Sequence, residues 1–167
     1  MTDDSPAFLE ETDIMSMLRD FVENKHTIFV DECKDWQDAI RTCVKPLLAD
    51  GTVTEQYPED IIANVGKYGP YFVLVPGVAM PHAQEGGGKV FKTTISFMKT
   101  QKPVVFDKDD PDSYADLFFT LASCNHDEHL EHMAALMDVL QNEELLDELH
   151  KVKNDDDLLK LADKYNL

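Results

Sequence analysis

The stretch YFVLVPGVAMPHAQEGGGK, residues 71–89, decides how the rest of the chain is read. Tyr71–Val75 is an apolar run of strand length and predicts a buried β-strand. Pro76 and Pro81 then bracket Gly77–Met80. Proline locks its own φ and restricts the residue before it, so the backbone that carries His82 is stiff. Gly86, Gly87 and Gly88 follow, which either admit another surface closely or leave the loop supple. In open α/β sheets ligand sites collect at the carboxyl ends of strands, and a loop leaving residues 71–75 would lie at such an edge. There an imidazole with an ordinary pKa of about 6.5 can serve as nucleophile, proton carrier or metal ligand. The competing reading is a histidine on an ordinary surface turn.

On either side of this stretch, helical and strand patterns alternate. Residues 13–24 repeat apolar side chains at Ile14, Met17, Leu18, Phe21 and Val22 behind a possible Asp13 cap, which predicts a helix. TIFVD (27–31) reads as a short strand. Asp35 is placed to cap a helix over residues 36–50, with Gly51 ending it and Pro46 threatening a kink. Residues 58–69 read as a helix that opens on Pro58 and stops at Gly69. KVFKTTISFMK and KPVVFD read as two neighbouring strands, and YADLFFTLA (114–122) as another, with a helix still open for it. Beyond His126 the pattern is helical, with Leu130, Met133, Met137 and Leu140 three or four apart, and two further short helices close the chain. The alternation predicts an α/β fold, a single domain with a mixed β-sheet flanked by helices on both faces. Residues 1–12 are read as an acidic, flexible tail and residues 13–167 as the domain.

Thirty-three acidic residues against 15 basic ones leave a formal charge of −18 over 167 residues. Such a field repels nucleic-acid phosphates and anionic membrane surfaces and favours protein partners with basic or mixed faces. Three cysteines without C-x-x-C spacing suit a reducing compartment. The N-terminus has no signal-peptide character, and no apolar run reaches the roughly 20 residues that span a bilayer. A cytoplasmic protein without membrane insertion is expected.

A second cluster, NHDEHLEHMAALMDVL, places His126, His129 and His132 at the start of the last long helix. His129 shares a face with Met133 and Leu136 and should point inward. If residues 114–122 run parallel to residues 71–75, this helix start and His82 share one edge. Exposed backbone N–H groups and the helix dipole would make an anion site there. A metal site is disfavoured, because histidines six apart are rotated about 120° on a helix and no H-E-x-x-H is present. His126 and His132 read as solvated or capping residues. Cys124 reads as a small buried residue.

PGVAMPHA followed downstream by DEHLEHMAAL resembles the mannitol/fructose-type enzyme IIA domain of the bacterial phosphotransferase system. YGPYFVLVPGVAMPHA, DWQDAI and KPVVFDKDDPDSYADL are most similar to its ascorbate-specific branch, over most of the chain from Asp13 onward. The resemblance implies that residues 13–167 form a type-2 IIA domain that is a phosphotransferase. It implies that His82 accepts a phosphoryl group, through Nε2, from the histidine phosphocarrier protein. His129 would then stabilise that group, and a cysteine of a cognate IIB protein would receive it for a sugar carried by the membrane component IIC. No cofactor and no metal are implied. Gln84 stands where that branch leads one to expect a basic residue, and Lys89 is placed to replace some of the charge. The alternative is a regulatory protein of the nitrogen-phosphotransferase type, which signals by its phosphorylation state.

Overall fold

The computed structural model describes residues 16–84 and 90–167. The expected tail over residues 1–12, the Asp13 cap, the Gly86–Gly88 run and Lys89 lie outside the described residues. In chain order the elements are α1 (Met17–Glu23), β1 (Thr27–Val30), α2 (Trp36–Ala49), α3 (Gln56–Tyr68), β2 (Val73–Val75), β3 (Gly77–Ala79), β4 (Thr94–Val105), β5 (Tyr114–Ala122), α4 (His126–Leu140), α5 (Glu143–Leu149) and α6 (Asp155–Tyr165).

Side-chain caps start four of the helices. Asp35, Asn125, Asn142 and Asn154 accept the backbone N–H three residues on, at Asp38, Glu128, Leu145 and Asp157, over 2.8, 2.9, 3.1 and 2.9 Å. Each such cap is worth about 1 kcal/mol. The helix ending at Gly69 does so through a φ of 76°, which glycine adopts freely. Pro46 does not break α2, which runs on to Ala49. Cys43, Val44 and Leu47 beside it are essentially fully buried, so packing outweighs the roughly 3 kcal/mol that an interior proline costs.

The five strands form one mixed sheet in the order β1-β4-β5-β3-β2. β1 runs parallel to β4, β4 antiparallel to β5, β5 parallel to β3, and β3 antiparallel to β2. The pleat of central β5 sends Phe119 and Leu121 to one face and Phe118 to the other. On the first face they meet Leu18 and Phe21 of α1, Leu136 of α4, Leu149 of α5 and Leu158 of α6. On the second, Ile40, Val44 and Leu47 of α2 and Ile61 of α3 pack over Ala79, Met98 and Phe118. Both faces are covered, and each fully buried Leu, Ile or Phe contributes about 1.5–3 kcal/mol.

Two strand expectations are corrected. Residues 71–75 do not form a buried interior strand: β2 is three residues long at the sheet edge, with Leu74 44% and Val75 40% exposed. A turn at Pro76–Gly77 folds the chain back into a strand not read from the sequence, β3, whose three residues are all buried. The two strands read from residues 89–107 are one, β4, interrupted by a register shift between Lys99 and Val104 that lets it continue along the same partner, β5.

Candidate functional site

His82 and the start of α4 meet because β3, not β2, is the parallel neighbour of β5. Both strands therefore deliver the chain to the same sheet edge, His82 three residues after Ala79 and Asn125 three residues after Ala122. The connection is pinned where the Leu121 N–H donates to the Pro81 carbonyl at 2.9 Å and the Met80 N–H to the Phe72 carbonyl at 2.9 Å. At this edge the His82 and His129 rings lie 4.9 Å apart between centroids, tilted by 47°. They line a cleft of about 600 Å³ with Tyr57, Gln84, Ser123 and Cys124.

The backbone of residues 82–84 is held one residue at a time. The Tyr71 hydroxyl donates to the His82 carbonyl. The Ala83 N–H donates to the Tyr57 hydroxyl at 3.4 Å, and that hydroxyl donates to the Leu121 carbonyl at 2.6 Å. The Gln84 N–H donates to Asn64 Oδ1 at 2.6 Å. Tyr71 also stands edge-on to the imidazole of His82, centroids 5.3 Å apart. The stiffness read from two prolines is thus reinforced by Tyr57 and Asn64 of α3 and by Tyr71 beyond it. Nothing in the local pattern of those three residues marks them, because their partners are 11 to 64 positions away.

The ring of His82 is oriented by its own loop. Its Nδ1 lies 2.7 Å from the Met80 carbonyl oxygen. A carbonyl only accepts, so Nδ1 carries the proton and Nε2 keeps a lone pair. Burial holds the pKa of His82 below the usual 6.5, against an opposing pull from the Met80 carbonyl, and so favours the neutral ring. His129 is also depressed, first by burial and then by the neighbouring His82, His126 and His132. Its Nδ1 lies 3.3 Å from Ser123 Oγ.

His126 is exposed, as expected of a solvated residue, whereas His132 is half-buried on the far side of α4 against Met17, Phe21 and Ile95. Cys124 is exposed in the cleft rather than buried, because the turn between β5 and α4 carries it to the surface. The anion site expected at the N-terminus of α4 is partly filled by the chain itself. Asn125 takes the Glu128 N–H, and Asp127 and Glu128 put two carboxylates into the first turn. No lysine or arginine is among the described residues lining the cleft, which include one carboxylate, Asp60, and the imidazoles of His82, His126 and His129. Nor do the described residues include a group of three or more His, Cys, Asp or Glu placed to hold a metal ion.

A mixed five-stranded sheet covered by helices on both faces is an architecture this chain shares with solved mannitol-type IIA domains. The solution structure of the mannitol-specific cryptic phosphotransferase enzyme IIA CmtB from Escherichia coli matches it with a TM-score of 0.73 and 30% identity, covering 88% of this chain and 98% of that one. Mannitol IIA of Escherichia coli, solved in complex with phosphorylated mannitol IIB, shares the fold at a TM-score of 0.69 and 21% identity, over 84% of this chain and 95% of that one. The family model described as phosphoenolpyruvate-dependent sugar phosphotransferase system, EIIA 2, matches residues 21–165, and the chain belongs to that family. The ascorbate-specific phosphotransferase EIIA component of Escherichia coli K12 is 34% identical over 151 residues, 89% of this chain and 97% of its own length. Members of this family are phosphotransferases that pass phosphoryl groups by way of a histidine, and IIA proteins work with a IIB partner. No helix among the described residues is long and apolar enough to cross a membrane.

Proposed function

We propose that this protein is the IIA phosphocarrier of an ascorbate-type sugar phosphotransferase system, with His82 as the phosphoryl acceptor. The observation that carries the assignment is an imidazole whose Nδ1 is committed to the Met80 carbonyl, set in a cleft against a second imidazole. The donor is the phosphorylated histidine phosphocarrier protein of the cytoplasm. The Nε2 lone pair forms the bond to phosphorus while the donor's phosphorus–nitrogen bond breaks, its electron pair remaining on the donor imidazole. His82 is then an Nε2-phosphoimidazolium whose Nδ1–H still rests on the Met80 carbonyl. When a thiolate of the cognate IIB attacks phosphorus, the ring leaves with its original lone pair and in its original tautomer, so no proton need move on His82 in the cycle. Between two good leaving groups of this kind, positioning and charge stabilisation supply most of the catalysis. His129 stabilises the bound phosphoryl oxygens, and the onward path leads through IIB to a membrane IIC.

Incubation with phosphoenolpyruvate, enzyme I and the phosphocarrier should give an acid-labile, base-stable label that is absent in His82→Ala. His129→Ala should label and discharge more slowly while keeping its circular-dichroism spectrum. A label that persists without His82 removes the assignment.

A further inference from the structure

We propose that Ser123 is a positioning residue that keeps the proton of His129 on Nε2, so that this ring donates a hydrogen bond to the phosphoryl group carried by His82. The inference rests on the reading of His82 as the acceptor and adds to it the residue that prepares the second imidazole. Ser123 is the first residue beyond β5 and His129 lies in the first turns of α4, so the strand-to-helix connection brings the hydroxyl to the ring. The Oγ–Nδ1 separation is 3.3 Å. A serine hydroxyl can donate or accept, and the distance alone leaves both directions open.

The needs of a phosphoryl group on His82 decide between them. Phosphoryl oxygens only accept, so a neutral His129 can help them only through an N–H. A neutral imidazole has one N–H, and Nδ1 is already occupied by Ser123. When the hydroxyl donates to Nδ1, the proton sits on Nε2 and is free for the phosphoryl group. With the hydroxyl accepting instead, Nε2 would hold a lone pair and repel the same oxygens. His82 presents the complementary tautomer, proton on Nδ1 and lone pair on Nε2, because its partner is the Met80 carbonyl. One backbone carbonyl and one side-chain hydroxyl thus set neighbouring imidazoles in opposite tautomers, one as nucleophile and one as donor. With no lysine or arginine among the described cleft residues, neutral donors such as this one carry more weight. Burial and the three neighbouring imidazoles favour the uncharged ring that the arrangement needs.

The test is histidine nitrogen-15 NMR on the unphosphorylated full chain at pH 8, paired with the rate of phosphoryl acceptance from the phosphorylated phosphocarrier. Wild-type His129 should be protonated on Nε2. In Ser123→Ala the two tautomers should mix, and kcat for acceptance should fall roughly three- to tenfold, the kinetic equivalent of one neutral hydrogen bond, with KM for the donor unchanged. Ser123→Thr keeps the hydroxyl and should restore both. A wild-type ring protonated on Nδ1 overturns the proposal, as does an unchanged rate in Ser123→Ala. If Ser123→Ala fails to fold, the wild-type tautomer and the Ser123→Thr rate still decide. The tautomer is measured without phosphate, so loss of the His82 assignment, seen as label in His82→Ala, is a separate result.

Discussion

Replacing Gly77 with alanine tests the hairpin that presents His82. Val75 pairs with Val78 across a two-residue turn in which Pro76 comes first and Gly77 follows with φ at 89°. That is the type II pattern, whose third position has positive φ. An L-residue there costs about 1–2 kcal/mol in backbone energy alone. The new Cβ would also lie 2.9 Å from His150 Cε1 and 3.4 Å from its Nε2, so the ring must move. The ring is not free to do so without loss: His150 Nδ1 is 2.7 Å from Asp116 Oδ1, and the other oxygen of Asp116 is 3.3 Å from the buried Lys99 ammonium. Weakening that charge-assisted contact adds about 1–2 kcal/mol. The total, about 2–4 kcal/mol, should lower the urea midpoint by about 1 M or more, given slopes of about 1–3 kcal/mol per molar. Repeating the substitution in a His150→Ala background separates the two parts, since only the backbone cost of about 1–2 kcal/mol should remain there. An equal cost in both backgrounds would refute the steric argument. A cost below about 0.5 kcal/mol in the wild-type background would refute the strained turn as well, because ordinary surface substitutions reach that much.

Two further outcomes follow from the cleft. One equivalent of a maleimide at pH 8 should modify the exposed Cys124 first, since burial pushes the thiol of Cys33 up to about 11 and that of Cys43 up to about 12; the adduct should block labelling, Cys124→Ser should be immune, and mass mapping of the adduct to Cys43 would contradict the structure. Because burial depresses His82 and His129 below 6.5 in the folded chain, the unfolded chain binds their protons first as pH falls. Stability should therefore decline as pH drops below about 6.5 and stop declining on their account once the folded values are passed, with a shallower decline in His82→Gln. An NMR titration placing His82 above 6.5 would reverse the sign.

The architecture was largely legible because it rests on local chemistry. Asp35 capped where its side chain predicts, the two short helices that close the chain are present, and helical and strand periods alternate along it. His82 and His129 were likewise visible as residue types placed after a strand and in a first helical turn. The strand that carries His82 was misread, although Pro-Gly is a turn signal, because an apolar run of five suggests burial whether it lies at the edge or in the centre of a sheet. Burial misled at Cys124 for the same reason: exposure depends on the path of the turn, not on the residue type.

Composition and periodicity by themselves determined an acidic α/β domain with a stiff histidine loop, since caps, proline restriction and side-chain period act over a few residues. Only the tertiary structure decided that β3 pairs with β5, and hence that the two imidazoles meet 4.9 Å apart. It alone recruited Tyr57, Asn64, Tyr71 and Ser123 to hold them. The contacts of Tyr57, Asn64 and Tyr71 join residues 11 to 64 positions apart, and even the six-residue step from Ser123 to His129 depends on the turn between β5 and α4. A hydrogen bond of about 3 Å has no signature until the elements that position its two ends are in place.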